Sequence, residues 1–128
     1  MTRVALVAHD EKKSEMIELV QSNESLLGTF DIITTGTTGK RIMEETSLTV
    51  ERKESGPQGG DTQIGAEVVD GRIDGIVFLR DPLTAQPHDP DISALLRLCE
   101  VHNVPLATAR NGAEYLLDGL ANDDESER

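Results

Sequence analysis

The sequence predicts one α/β domain built on a doubly wound, mostly parallel, five-stranded sheet with helices on both faces. Three observations carry that expectation. The first apolar run, Arg3 to Ala8, is continuous rather than alternating, the pattern of a strand covered on both faces. Four further strand-like runs follow, separated by segments of helical character, and such alternation favours parallel pairing through right-handed crossovers. The chain has 128 residues, enough for one hydrophobic core and too few for two.

After the first strand, Met16, Ile17 and Val20 recur at helical spacing and place a helix at about 11–21, with Lys13 on the same face. Phe30 to Thr34 reads as the second strand, closed by Thr35-Gly36-Thr37-Thr38-Gly39, and Lys40 to Glu45 resumes helical character. Leu48 to Glu51 is a weak, polar third strand near a sheet edge. Beyond the flexible Ser55-Gly56-Pro57-Gln58-Gly59-Gly60-Asp61, Ile64 and Val68 give a helix its buried face. Gly75 to Leu79 is the fourth strand. The helix after it is the best marked in the chain: Asp89 stands as N-cap, Pro90 takes the first helical position, and Ile92, Leu95, Leu96 and Cys99 follow at i, i+3, i+4 and i+7. Val104 to Thr108 is the last strand and Ala113 to Leu120 a closing helix. The domain is therefore expected over residues 1–120, with an acidic, flexible tail at 121–128.

Asp and Glu number 24 against 12 Lys and Arg, a formal net charge of −12. Nucleic acid and anionic membranes are excluded as general partners, because both are held by neutralising phosphates with a basic surface. No apolar run approaches the roughly 18 residues of a membrane-spanning helix, and the stretch after Met1-Thr2-Arg3 is too short for a secretory signal. A cytoplasmic setting is expected. Cys99 has no partner for an internal disulfide, and no Cys/His spacing marks a zinc cluster.

In a doubly wound sheet, ligands bind beyond the carboxyl ends of the strands, and the unusual polar residues fall there. Two glycines, three hydroxyls and the amides of a helix start make Thr35 to Gly39 suited to a dianion such as phosphate, or to a simple N-capping turn. Lys13 is either the ammonium such an anion needs or a solvated surface lysine. The glycines of the Ser55–Asp61 segment let backbone amides approach a ligand closely. Asp61 is a carboxylate base or an N-cap. In Pro87-His88-Asp89-Pro90-Asp91 an imidazole is flanked by carboxylates, but with only His9 and His88 on separate loops no metal site is assigned. His102, near a helix end where the dipole favours a cation, and Cys99, at a core position, read as structural.

Together these strings resemble methylglyoxal synthase. Ala5-Leu6-Val7-Ala8-His9-Asp10 with Lys13, Thr35 to Gly39, Ser55 to Asp61, Ile64 to Ala66, Asp81 to Leu83 and Pro87 to Leu98 come in that family's order and spacing, over residues 3 to about 120. The resemblance implies a doubly wound fold, a homohexamer, no metal or organic cofactor, and conversion of dihydroxyacetone phosphate to methylglyoxal and inorganic phosphate. It also implies Asp61 as catalytic base and His88 as its catalytic partner. His9, Lys13, Thr35, Gly36, Thr37, Thr38, Ser55, Gly56 and His88 would line the substrate site, and Asp10, Asp81 and Asp91 would support it. The chain departs from the family's usual pattern at Thr62, Arg80 and Ala109-Arg110, where Arg80 and Arg110 either bind anions or offset local acidity. Two rivals stand beside the lyase: a non-catalytic ligand-sensing module of the same fold, as found attached to carbamoyl phosphate synthetase, and an isomerase that retains the phosphate.

Only four acids lie beyond residue 120; the other 20 run from Asp10 to Asp118 and so fall on the folded domain. Self-repulsion at that charge is relieved by salt, as in proteins of a high-salt cytoplasm; an ordinary acidic enzyme is the alternative. Melting temperature is expected to rise from low to molar salt, and a flat series removes the salt-adapted reading.

Overall fold

The computed structural model describes the backbone of residues 1–126 and the side chains of residues 1–123. Five strands, β1 (Arg3–Ala8), β2 (Asp31–Thr34), β3 (Glu51–Arg52), β4 (Gly75–Leu79) and β5 (Leu106–Ala107), form one sheet in the order β3-β2-β1-β4-β5. Every pairing is parallel. β1 is therefore central, and the chain moves to one side of it for β2 and β3 and to the other for β4 and β5.

The continuous apolar character of β1 has the predicted cause. Val4, Leu6 and Ala8 enter one core layer with Val77 and Leu79 of β4, whereas Ala5 and Val7 enter the other with Ile76 and Phe78. The first layer is closed by α1 (Lys13–Ser22), α2 (Glu24–Leu27), α3 (Gly36–Glu45) and α6 (Arg110–Ser126), through Met16, Leu19, Leu27, Ile42 and Leu117. The second is closed by α4 (Gly60–Val69) and α5 (Asp89–Val101), through Ile64, Val68, Ile92, Leu95 and Cys99. Cys99 is core, as its spacing indicates.

The element boundaries differ from expectation where tertiary packing outweighs local propensity. A 3-10 turn over Asp10–Lys12 delays α1 to Lys13, and the short α2 had no sequence signal. α3 begins at Gly36 rather than Lys40, so the Thr/Gly cluster is itself the first turn, held by burial of Gly36, Thr38 and Gly39. The third strand is shifted from Leu48–Glu51 to Glu51–Arg52: Leu48 and Val50 are buried in the core but lie outside the ladder. β5 is confined to Leu106–Ala107, although the Pro105 carbonyl still accepts the Ile76 N–H at 2.9 Å. Asp89 is not the N-cap of α5; His88 occupies that position without a side-chain cap bond, and Asp89 and Pro90 follow inside the first turn. His102 is the C-cap residue of α5, its N–H on the Leu98 carbonyl. α6 passes the expected boundary at residue 120 and runs through Ser126, and the tail expected at 121–128 ends outside the described residues. Among the described residues no helix is long and apolar enough to cross a membrane.

Leu6 is fully buried in the layer away from α4 and α5. Leu6→Ala is expected to lower unfolding free energy by about 2–5 kcal/mol, read as a shift of the denaturant midpoint.

Candidate active site

The carboxyl ends of the strands meet around the gap between β1 and β4, where the winding reverses. His9, the first polar residue after β1, stands there. Its amide still donates to the Leu79 carbonyl at 3.1 Å, so its place relative to β4 is fixed. Its ring meets Phe78 edge-on with centroids 5.2 Å apart and His88 with centroids 5.9 Å apart. Nδ1 accepts the Asp81 backbone N–H at 2.8 Å, which puts the proton of the neutral ring on Nε2. That nitrogen is buried and has no protein partner. Burial, followed by the charges of His88 and Arg80, pushes the His9 pKa below its ordinary value.

Asp61 sits in the first turn of α4 and is 1% exposed. It is not the N-cap; Gly59, in the left-handed region at φ 104°, holds that position. Neither carboxylate oxygen has a hydrogen bond, and Oδ2 lies 3.4 Å from Nε2 of His88, a polar contact longer than a good hydrogen bond. Burial raises the Asp61 pKa above the ordinary carboxylate value; His88 opposes the rise and Asp91 adds to it. A carboxylate in that state is a stronger base than a solvated one. His88 approaches it across Gly56: a Cβ at Gly56 would lie 2.6 Å from the imidazole Nε2, so only glycine lets this backbone lie against the ring.

The opposite wall is a set of donors. Lys13, its side chain 12% exposed, reaches Asp10 Oδ1 at 2.5 Å and the Ala8 carbonyl at 3.4 Å, and its hydrogen bond and charge hold the Asp10 carboxyl below its ordinary pKa. Thr35 occupies the N-cap position of α3 yet makes no side-chain cap bond; its hydroxyl meets Thr38 Oγ1 at 3.4 Å. Ser55 donates to Gln58 Oε1 at 2.7 Å. His9, Asp10, Lys13, Thr35, Thr37, Ser55, Gly56, Asp61 and His88 enclose one cavity of about 220 Å³, a volume for a small molecule.

The cavity also takes in Val7, Ala8, Pro57 and Gln86, which the sequence analysis did not single out. Val7 and Ala8 carry no polar signal, but Gln86 lies two residues before His88 and was within reach of a proximity argument. Four expected residues stand off the wall. The Gly36 amide is taken by the Glu54 carbonyl at 3.2 Å, and Gly36 instead borders a neighbouring hollow with Arg52 and Lys53. Thr38 is buried behind the wall, its hydroxyl donating to the Ala8 carbonyl at 3.4 Å. Asp81 shapes its turn by accepting the Leu83 N–H at 3.0 Å, and Asp91 acts on Asp61 through charge. Among the described residues no group of three or more His, Cys, Asp or Glu is placed to hold a metal.

The family model for the MGS-like domain matches residues 15–108. A methylglyoxal synthase of Burkholderia multivorans is 59% identical over 119 residues, which are 93% of this chain and 92% of that protein. The chain belongs to the methylglyoxal synthase family. A second member, from Borreliella afzelii, is 55% identical over 92% of this chain and 93% of its own length. The crystal structure of methylglyoxal synthase from Elizabethkingia anophelis superposes with a TM-score of 0.85 at 44% identity, covering 91% of this chain and 76% of that one. The fold is thus the methylglyoxal synthase fold. Of the positions where the chain is expected to depart from the family pattern, Thr62 is exposed and is not part of the cavity wall. Arg110 is tied to Glu18 at 3.0 Å and Glu114 at 3.8 Å, which is the acid-offsetting arrangement. Arg80 is the half-buried residue that directly follows β4, and its charge acts on His9.

Because the Asp61 pKa is raised in the folded chain, its carboxyl costs nothing at pH values below the ordinary carboxylate range, where it is protonated both folded and unfolded. The cost appears as pH rises and is complete above the raised native value. Asp61→Asn is therefore expected to raise the melting temperature at neutral pH, with the difference from wild type shrinking as pH falls. A constant difference across pH removes the charge as its cause.

Proposed function

We propose that this enzyme is a phosphate-eliminating carbon–oxygen lyase converting dihydroxyacetone phosphate to methylglyoxal and inorganic phosphate. The observation that carries the reading is Asp61: a carboxylate buried to 1% exposure, with neither oxygen hydrogen-bonded, in a cavity that also holds Lys13, Thr35, Thr37 and Ser55 as donors. A ligand-sensing module has no use for an uncompensated base, whereas proton abstraction from carbon requires one.

In this reading the phosphate lies against Lys13, Thr35, Thr37 and Ser55, and the hydroxymethyl carbon faces Asp61. Asp61 takes a proton from that carbon, and His88 with the Gly56 amide stabilises the charge that develops on the carbonyl oxygen. The product is an enediolate phosphate, and return of the abstracted proton to its oxygen gives the enediol. Its terminal hydroxyl then loses its proton and closes to an aldehyde, the double bond shifts, and the electron pair leaves with the carbon–oxygen bond to phosphate. Phosphate carries away one proton, and the remaining enol takes one onto carbon to become the methyl group of methylglyoxal. Expulsion needs the breaking bond held roughly perpendicular to the enediol plane, which is the work of Lys13 and the threonines. Asp10, Asp81 and Asp91 support the site through Lys13, the Asp81 turn and Asp61. No cofactor enters the scheme. A homohexamer in a salt-rich cytoplasm belongs to the same reading.

Purified protein given dihydroxyacetone phosphate is expected to release methylglyoxal and free phosphate in equal amounts. Neither product at low or high salt refutes the lyase, and glyceraldehyde phosphate without free phosphate makes it an isomerase. Asp61→Asn is expected to lower turnover about 10²- to 10⁴-fold while still binding a phosphate-bearing enediolate mimic; unchanged turnover takes the base role from Asp61.

A further inference from the structure

His9 is the one imidazole of the cavity whose proton position the backbone dictates, and Arg80 is the residue placed to control it. β1 and β4 pair with Ala8 beside Leu79. His9 and Arg80 are the next residues, and they leave neighbouring strand ends about 4.8 Å apart; the Arg80 charge acts on the His9 ring. Arg80 is half-buried, its Nε is buried without a hydrogen-bond partner, and among the described residues its guanidinium has no ion-pair partner. In a chain with twice as many acids as Lys and Arg, an unneutralised cation beside an imidazole needs a reason. The next residue along β4's exit supplies the second half of the arrangement: the Asp81 N–H points at His9 Nδ1 from 2.8 Å. A protonated imidazole would carry a proton on Nδ1 and set two donors face to face, and a guanidinium alongside adds like-charge repulsion.

We propose that Arg80 is a positioning residue for the lyase reaction: together with the Asp81 amide it holds His9 as the neutral, Nε2-protonated tautomer, so that His9 meets the substrate as a hydrogen-bond donor. The inference rests on the lyase reading for its consequence in catalysis, though not for the state of the ring. The charged or titratable groups around His9 come from every side of the cavity. His88 stands at the start of α5, Arg80 and Asp81 at the end of β4, Lys13 on α1, Asp10 next in the chain, and Asp61 on α4. His88, Arg80 and Lys13 all disfavour a charged His9, and Asp81 favours it. Lys13 is already neutralised by Asp10, which leaves Arg80 as the unpaired cation among them.

The test is a pH titration of the enzyme labelled with carbon-13 in its three histidines, the His9 signal being assigned with His9→Gln. In Arg80→Gln, His9 is expected to titrate at higher pH than in wild type. The acidic limb of kcat/KM for dihydroxyacetone phosphate should move to higher pH with it, so that the loss concentrates on the acid side. Arg80→Lys should return both towards wild type. A His9 titration identical in wild type and Arg80→Gln overturns the proposal. So does a loss of kcat/KM that is uniform in pH and disappears in salt, since that marks Arg80 as an attractor for the substrate dianion. If wild type forms no methylglyoxal, the lyase reading falls, and the His9 titration still decides whether Arg80 governs the ring.

Discussion

β1 sets the terms for the rest of the molecule. Between Val4 and Ala8 it carries no polar side chain, and each residue in that span is at most 5% exposed. A strand of that kind has to be covered on both faces and paired on both edges, which β2, β4 and the two helix layers do. Placing β1 at the centre also fixes where chemistry can occur. The chain leaves β1 in opposite directions, and the gap this opens is filled by the first polar residues that each strand releases at its carboxyl end: His9, the threonines of α3, the Ser55–Asp61 segment and the His88 turn. The cavity is a consequence of the winding.

Buried polar atoms ordinarily find partners; among the described residues Arg3 Nε, Thr34 Oγ1, Glu67 Oε2 and Arg80 Nε are exceptions away from the cavity wall, and the others belong to residues that line it. Both oxygens of Asp61, Nε2 of His9 and Nδ1 of His88 are buried without a hydrogen bond. Unsatisfied groups of this kind cost stability, and here they face one cavity. Their partners are donors and acceptors that the protein does not itself provide, which is the expected condition of a site prepared for a polar ligand. The neighbouring apolar and glycine positions maintain the condition. Phe78 holds the His9 ring from the core side, and Gly56 lets His88 come within reach of Asp61.

The net charge of −12 acts on a different scale from the site. It excludes partners that need an extended basic surface, but a small dianion needs only a lysine, hydroxyls and amides at one rim. Lys13 is held there by Asp10, an acid serving to orient a cation, and Arg80 remains without an ion-pair partner among the described residues. Elsewhere the few cations are shared among several acids: Arg3 meets Asp31, Glu51 and Glu67, and Lys53 meets Glu51 and Glu67. Most of the acidity is thus a property of the surface, while the cavity sets Lys13, hydroxyls and backbone amides beside its two acids, Asp10 and Asp61.

By itself the sequence determined the fold class, the five strand positions to within a few residues, and the segments that supply most of the cavity wall. It could do so because β1's apolar run, the α5 spacing and the Thr/Gly and Gly-rich segments are local patterns with local causes. Tertiary structure decided what no local pattern encodes. It made the Thr/Gly cluster the first turn of α3 rather than a loop before it, because burial of Gly36, Thr38 and Gly39 outweighs their poor helix propensity. It took Gly36 and Thr38 off the cavity wall, brought Gln86 onto it, and resolved Asp61 from helix cap to buried carboxylate. It also placed Arg80 beside His9, two residues more than seventy positions apart that only the parallel register of β1 and β4 makes neighbours. Ionisation and contact depend on surroundings assembled from distant segments, so they became legible only once the strands were paired.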